Sequence, residues 1–181
     1  AGHLGAGDAV RFFEIDPAVA ELARAHFDYL RRTPARAEVV VGDARMSLAR
    51  ERGRAARYDL LLVDAFAGDA IPTHLLTLEA LRLYEARLAP GGLLLLHVSN
   101  RFYDLRPVLH AGADALGLAG AQVARVGGLA PDQDPARYVA LARRPERLEA
   151  LLARGWRPLA ETAPAAAPWT DERVNVLGAL A

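Results

Sequence analysis

The 181 residues contain no cysteine. Disulfides, thiolate nucleophiles and Cys-ligated zinc are therefore excluded. Lysine is absent as well, so all 22 basic residues are arginine. That removes Schiff-base chemistry and the lysine of a phosphate-binding Walker-A loop. Serine occurs only at Ser47 and Ser99, and neither stands in a G-x-S-x-G elbow, which excludes α/β-hydrolase chemistry built on that motif. The histidines, His3, His26, His74, His97 and His110, nowhere fall at H-x-x-x-H spacing. No paired-histidine helix site follows, and no metal is expected. An excess of charge is missing too, since 22 acids balance 22 bases. A duplex nucleic-acid binder needs a basic surface to displace counterions, and a polybasic membrane-surface domain needs the same excess. No nucleic-acid partner is expected. No apolar run approaches the ~20 residues of a membrane span.

What is present is 52% hydrophobic residues in a length suited to one domain with a substantial core. Residues 1–181 are read as one domain, with 158–181 as a C-terminal strap and docking segment. Residues 9–15 (AVRFFEI) read as a strand. Asp16-Pro17 then opens a helix, Asp16 as N-cap and Pro17 in the first turn, with an apolar stripe of Val19, Leu22, Ala23, Phe27 and Leu30. A second strand at 38–41 leads through Gly42-Asp43 into a helix over 44–52. Residues 59–63 (DLLLV) are almost wholly apolar and predict a strand buried on both faces. A helix over 73–88, a buried strand over 93–98, a helix over 105–116, strands at 122–126 and 138–142 and a helix over 145–154 follow.

Strands alternating with helices, the central ones continuous Leu/Val runs, predict an α/β fold: a doubly wound, mostly parallel, Rossmann-like sheet. Ligands of such sheets sit at the carboxyl ends of the strands. Those ends carry Glu14 and Asp16, Asp43, Asp64 and Asp69, and Ser99 and Asn100. A ring of carboxylates suits ribose hydroxyls, an adenine amino group and a cationic substrate. It does not suit a phosphate-rich nucleotide, which wants amides and positive charge. Asp16 reads as a cap rather than a ligand. Asp43 suits either the cap of the following helix or a ligand, and the two roles are compatible. Asp64 ends a buried strand, where a carboxylate needs donors or a function. Asp69 suits either a loop turn or a ligand. His74 reads as helix surface, and His97, inside an apolar strand, as a core histidine.

The runs FFEIDP, VVGDAR, YDLLLVDAF and LAPGGLLLLHVSN, with GDAIPTHLLT and the closing WTDERVNVL, resemble the spermidine synthase (aminopropyltransferase) family. That family is built on the class I S-adenosylmethionine-dependent methyltransferase fold. The resemblance covers about residues 10–177. It implies a transferase of polyamine biosynthesis that moves an aminopropyl group from decarboxylated S-adenosylmethionine to a polyamine. By the same resemblance Glu14 accepts from both ribose hydroxyls and Asp43 from the adenine amine, with the Ala44 amide nearby. Asp64 takes the place of the catalytic aspartate that helps deprotonate the attacking amine, and Asp69 lies in the loop that holds the amine. One branch of the family fuses such domains to membrane-spanning segments, so the resemblance implies a cytoplasmic location, either for a separate protein or for the cytoplasmic domain of a membrane protein.

The pattern departs from the family in two places. Ala67 stands where a second aspartate is usual. Too few residues separate Gly7 from Glu14 to fit a helix and a strand. Residues 1–8 are therefore expected to be the end of a first helix and the loop after it, the first strand and its glycine loop being absent. A sheet lacking that strand has an open edge, which predicts a homodimer and weak catalysis by this chain alone. Two rival functions share the fold: a small-molecule methyltransferase using S-adenosylmethionine, and a non-catalytic nucleoside-binding or interaction domain.

Overall fold

The computed structural model describes residues 3–51, 57–64, 72–125, 136–161 and 166–180. The chain divides into two compact units, Ala1–Ala55 and Ala56–Ala181.

In the first unit, strands β1 (Ala9–Glu14) and β2 (Arg36–Val41) run parallel, Ala9 opposite Arg36 and Glu14 opposite Val41. Helices α1 (Pro17–His26) and α2 (Tyr29–Arg32) connect them, and α3 (Ala44–Arg50) follows β2. Asp16 caps α1 as expected, its carboxylate accepting the Ala18 amide. The expected stripe is only partly covered: Ala23 and Leu30 are half-buried. Val19, Leu22 and Phe27 are 46%, 52% and 57% exposed, while Ala20 is buried. The helix also stops at His26 and Phe27 is extended, so Phe27 and Leu30 leave the periodicity that placed them on one face. Residues 3–8 form turns with no helical turn among them. The expected loop is present there, the helix end is not; Asp8 closes on Gly5, its Oδ2 accepting the Gly5 amide at 2.7 Å.

The second unit holds β3 (Tyr58–Val63), α4 (Leu78–Arg87), β4 (Leu88–His97), α5 (Arg106–Leu116), β5 (Ala119–Arg125), β6 (Ala136–Ala142), α6 (Glu149–Leu152) and β7 (Arg157–Pro158). Its sheet has the order β3-β4-β6-β5-β7. β3 and β4 are parallel, joined through α4. β6 is antiparallel to both β4 and β5. Residues 126–135 between β5 and β6 are too few for the helical crossover that a parallel neighbour needs. The parallel pairs are therefore β1–β2 in the first unit and β3–β4 in the second, whose own sheet is completed by an antiparallel set.

The expectation that β3 is buried on both faces is corrected. Leu61 is 7% exposed, but Leu60 and Leu62, pointing the other way, are 53% and 51% exposed. β3 is the outermost strand of its sheet, and that face is left half-exposed. The helix expected over 73–88 is split: a 3-10 turn at Thr73–Leu75 precedes α4. Thr77 supplies the physical reason, because its hydroxyl accepts the Ala80 amide and starts a new helix there. β4 begins at Leu88, five residues earlier than the Leu run suggested. Gly92 permits this entry: a Cβ there would stand 2.7 Å from the Tyr58 carbonyl oxygen, where the β3–β4 register shifts.

The core of this unit is formed by Leu81 and Tyr84 of α4, Leu94 and Leu96 of β4, Leu109 of α5 and Val139–Leu141 of β6, all at most 1% exposed. The segment after β7 returns to α4. Trp169 is 3% exposed, its carbonyl accepts the Leu78 amide at 2.7 Å, and Asp171 Oδ1 accepts from the Thr77 hydroxyl at 2.7 Å. Among the described residues no helix is long and apolar enough to cross a membrane.

Candidate active site

The sequence-derived candidates fall into both units. In the first, Glu14 ends β1 and Asp43 follows β2, so parallel pairing brings the two strand ends side by side. The Gly42 amide donates to the Glu14 carbonyl at 2.8 Å and fastens them. Gly42 has φ 140°, a value that L side chains rarely adopt, and this turn aims Asp43 at the start of α3. There Asp43 is the N-cap, its Oδ1 accepting the Met46 amide at 2.7 Å, and Ala44 is the first helical residue. Glu14 also has a local task that the sequence did not reveal: its Oε1 accepts the Asp16 amide at 2.9 Å. An ionised carboxylate offers about four acceptor positions, and the bond to the Asp16 amide uses one of those on Glu14.

In the second unit, Asp64 follows β3 and its side chain is 50% exposed. Asp69 lies outside the described residues, as does Ala67. The structure gives Asp64 a partner that sequence reasoning misassigned. His97 at the end of β4 is not a core histidine. Its Nδ1 stands 2.7 Å from Asp64 Oδ1 and its Nε2 2.6 Å from Ser99 Oγ. Ser99 Oγ in turn accepts the Arg137 amide at 2.8 Å. On the far side the ring stacks on Tyr138, with centroids 4.8 Å apart and planes at 24°.

Strand register builds this group. Val63 is paired with Leu96 in the parallel β3–β4 ladder, so the next residues, Asp64 and His97, are neighbours. In the antiparallel β4–β6 ladder His97 is opposite Tyr138. Ser99 lies two positions beyond His97, on the same side of an extended chain. Asp64, His97 and Tyr138 therefore come from three adjacent strands at one end of the sheet. Burial first, and then the Asp64 carboxylate, raise the Tyr138 phenol above its ordinary pKa. Asn100 turns the chain away, its Oδ1 accepting the amides of Phe102 and Tyr103 at 2.9 and 3.0 Å. His74, in the 3-10 turn, is exposed as expected. The signal that could have exposed the role of His97 was its position: a polar ring ending a buried strand beside an acid ending the adjacent one.

This arrangement presents a carboxylate, bonded to a histidine ring that stacks on a tyrosine, at the carboxyl end of parallel strands. Over part of its length the chain is 36% identical to the polyamine aminopropyltransferase of Vibrio vulnificus; the 93 matched residues are 50% of this chain and 30% of that protein. A probable spermidine synthase from Corynebacterium glutamicum superposes with a TM-score of 0.65 at 21% identity, covering 91% of this chain and 64% of that one. The chain is similar to the aminopropyltransferases and carries the class I methyltransferase fold. Human methyltransferase-like protein 13, in complex with SAH, has the same fold at a TM-score of 0.54 and 23% identity, covering 92% of this chain and 76% of that one. No protein-family model matches. The chain spans less than a third of that curated relative's length.

Proposed function

We propose that this chain is an aminopropyltransferase domain that moves an aminopropyl group from decarboxylated S-adenosylmethionine to a polyamine. The observation that carries the reading is Asp64: a half-exposed carboxylate at the carboxyl end of β3, held by His97. Similarity to a polyamine aminopropyltransferase supports it.

The residues suit such a co-substrate by their chemistry. Ribose hydroxyls and an adenine amine are donors, and the Glu14 and Asp43 carboxylates are acceptors. Bound, the nucleoside would supply an electrophilic carbon beside its sulfonium. Glu14 takes the ribose hydroxyls. Asp43 and the Ala44 amide take the adenine. Asp64 accepts hydrogen bonds from the attacking amine, takes its proton and orients its lone pair, which are effects of general base catalysis and proximity. Negative charge here also favours a cationic substrate electrostatically. The same reading gives Asp69 to the amine's second ammonium group and treats 1–181 as one domain.

The test is binding of methylthioadenosine against S-adenosylhomocysteine by calorimetry, followed by polyamine turnover. Preference for methylthioadenosine, with transfer lost at least 100-fold in Asp64→Asn, is the expected result. Preference for S-adenosylhomocysteine would replace the reading with a methyltransferase.

A further inference from the structure

We infer that His97 is a positioning residue for Asp64, locked by Ser99 in the tautomer that carries its proton on Nδ1. The inference rests on the reading of Asp64 as the group that receives the amine. It arises from three distances: 2.7 Å from Nδ1 to Asp64 Oδ1, 2.6 Å from Nε2 to Ser99 Oγ, and 2.8 Å from the Arg137 amide to Ser99 Oγ.

The proton inventory fixes the tautomer. An ionised carboxylate only accepts hydrogen bonds, so Nδ1 facing Asp64 must carry a hydrogen. In a neutral ring Nε2 is then an acceptor, and the Ser99 hydroxyl must donate to it. The serine can do so because the Arg137 amide already occupies a lone pair of its oxygen. The chain Ser99–His97–Asp64 is thus satisfied at every atom in one direction. Free imidazole in water has no such constraint. The ring is held in line by stacking on Tyr138 and is only 22% exposed.

The consequence falls on Asp64. Its carboxylate sits just beyond the end of a strand with half of its surface in solvent, where an unheld side chain would rotate about both of its torsions. One oxygen tied to an immobile ring leaves the other presented in one direction. A displaced acceptor costs a reaction that depends on alignment about 100-fold, so orientation of Asp64 governs kcat more than KM.

Nitrogen-15 spectra of the histidine rings test the lock without any catalysis. The expected result is a His97 ring with protonated Nδ1 and unprotonated Nε2 at neutral pH, reverting to the Nε2-protonated form in Asp64→Ala. An Nε2-protonated ring in the parent protein, or a ring that Asp64→Ala leaves unchanged, overturns the inference. Kinetics supply the second arm. His97→Ala lowers kcat about 10- to 100-fold with KM nearly unchanged, and His97→Asn, whose amide can donate from near the Nδ1 position, recovers most of it. Equal losses in both variants, tracking a fall in melting temperature, would mean packing and would also overturn it. Ser99→Ala keeps the ring in place and gives a smaller loss in kcat should His97→Ala fail to fold. Were the parent protein to transfer no aminopropyl group, the proposed function would fall, while the ring spectrum would still decide the His97–Asp64 lock.

Discussion

The two units handle apolar residues in opposite ways. The second buries leucines of α4, β4, α5 and β6 to 1% exposure or less. In the first, the buried apolar residues among those described are Ala20, Ala35 and Leu48, while Ile15, Val19, Leu22, Phe27, Val41 and Met46 stand at least 46% exposed. Similar sequence patterning thus yields a packed core in one unit and an uncovered apolar surface in the other. Amphipathic periodicity says which residues could share a face, and only a second layer turns that face into stability. A two-stranded sheet is marginal by itself, whereas a five-stranded one with a helical layer is not.

Core truncation should separate the units most sharply. Leu81→Ala, in a position 0% exposed, is expected to cost ~2–5 kcal/mol. Leu22→Ala, 52% exposed, is expected to change stability by no more than about 0.5 kcal/mol. Urea unfolding monitored by circular dichroism measures both, and comparable losses would break the contrast. Helix caps should differ by less. Thr77→Ala removes a buried hydroxyl that accepts from Ala80 and donates to Asp171, for about 2 kcal/mol. Asp16→Ala removes an exposed cap, for about 1 kcal/mol.

The smallest expected effect is electrostatic and belongs to the second unit. Burial acts to raise the Asp104 pKa, but hydrogen bonds from the Arg106 side chain and backbone, with the charges of Arg106 and Arg137, hold it below 3.8. A carboxyl whose folded pKa is depressed stabilises fully above its unfolded pKa and loses that contribution as pH falls through the folded one. The pair should therefore add up to about 1 kcal/mol at neutral pH, vanishing in strong acid. Arg106→Gln should flatten that part of the acid-unfolding curve; an unchanged curve would show that the pair contributes nothing.

Local chemistry was legible in the sequence and distant chemistry was not. Asp16 and Asp43 were readable as caps because the amides they accept lie two and three residues away. Strand β4 was readable because a Leu run bounded by glycines and a polar end suits a buried, pleated surface, and β6 because its Tyr138 and Val139 favour a strand. The His97–Asp64 pair spans 33 residues and depends on Val63 pairing with Leu96 rather than with a neighbour. A slip of one position would have sent His97 to the other face. The exposure of Leu60 and Leu62 was equally illegible, because a run of leucines states that burial is favourable without stating what does the burying. The start of α4 was misread because Thr77 interrupts a continuous apolar stripe with a cap whose partner, Asp171, lies far down the chain.

That last partnership sets a timetable for synthesis. Thr77 and Asp171 are 94 residues apart, and a ribosome adding ~5–20 residues per second needs on the order of 5–20 s to travel from one to the other. During that interval the first turn of α4 is made but not closed: the Trp169 carbonyl that takes the Leu78 amide does not yet exist. The nascent helix start waits for these two partners, which emerge only after all of β4, β5 and β6. A chain stopped shortly before Trp169 would lack both the carbonyl that takes the Leu78 amide and the carboxylate that takes the Thr77 hydroxyl, and α4 would start unfastened.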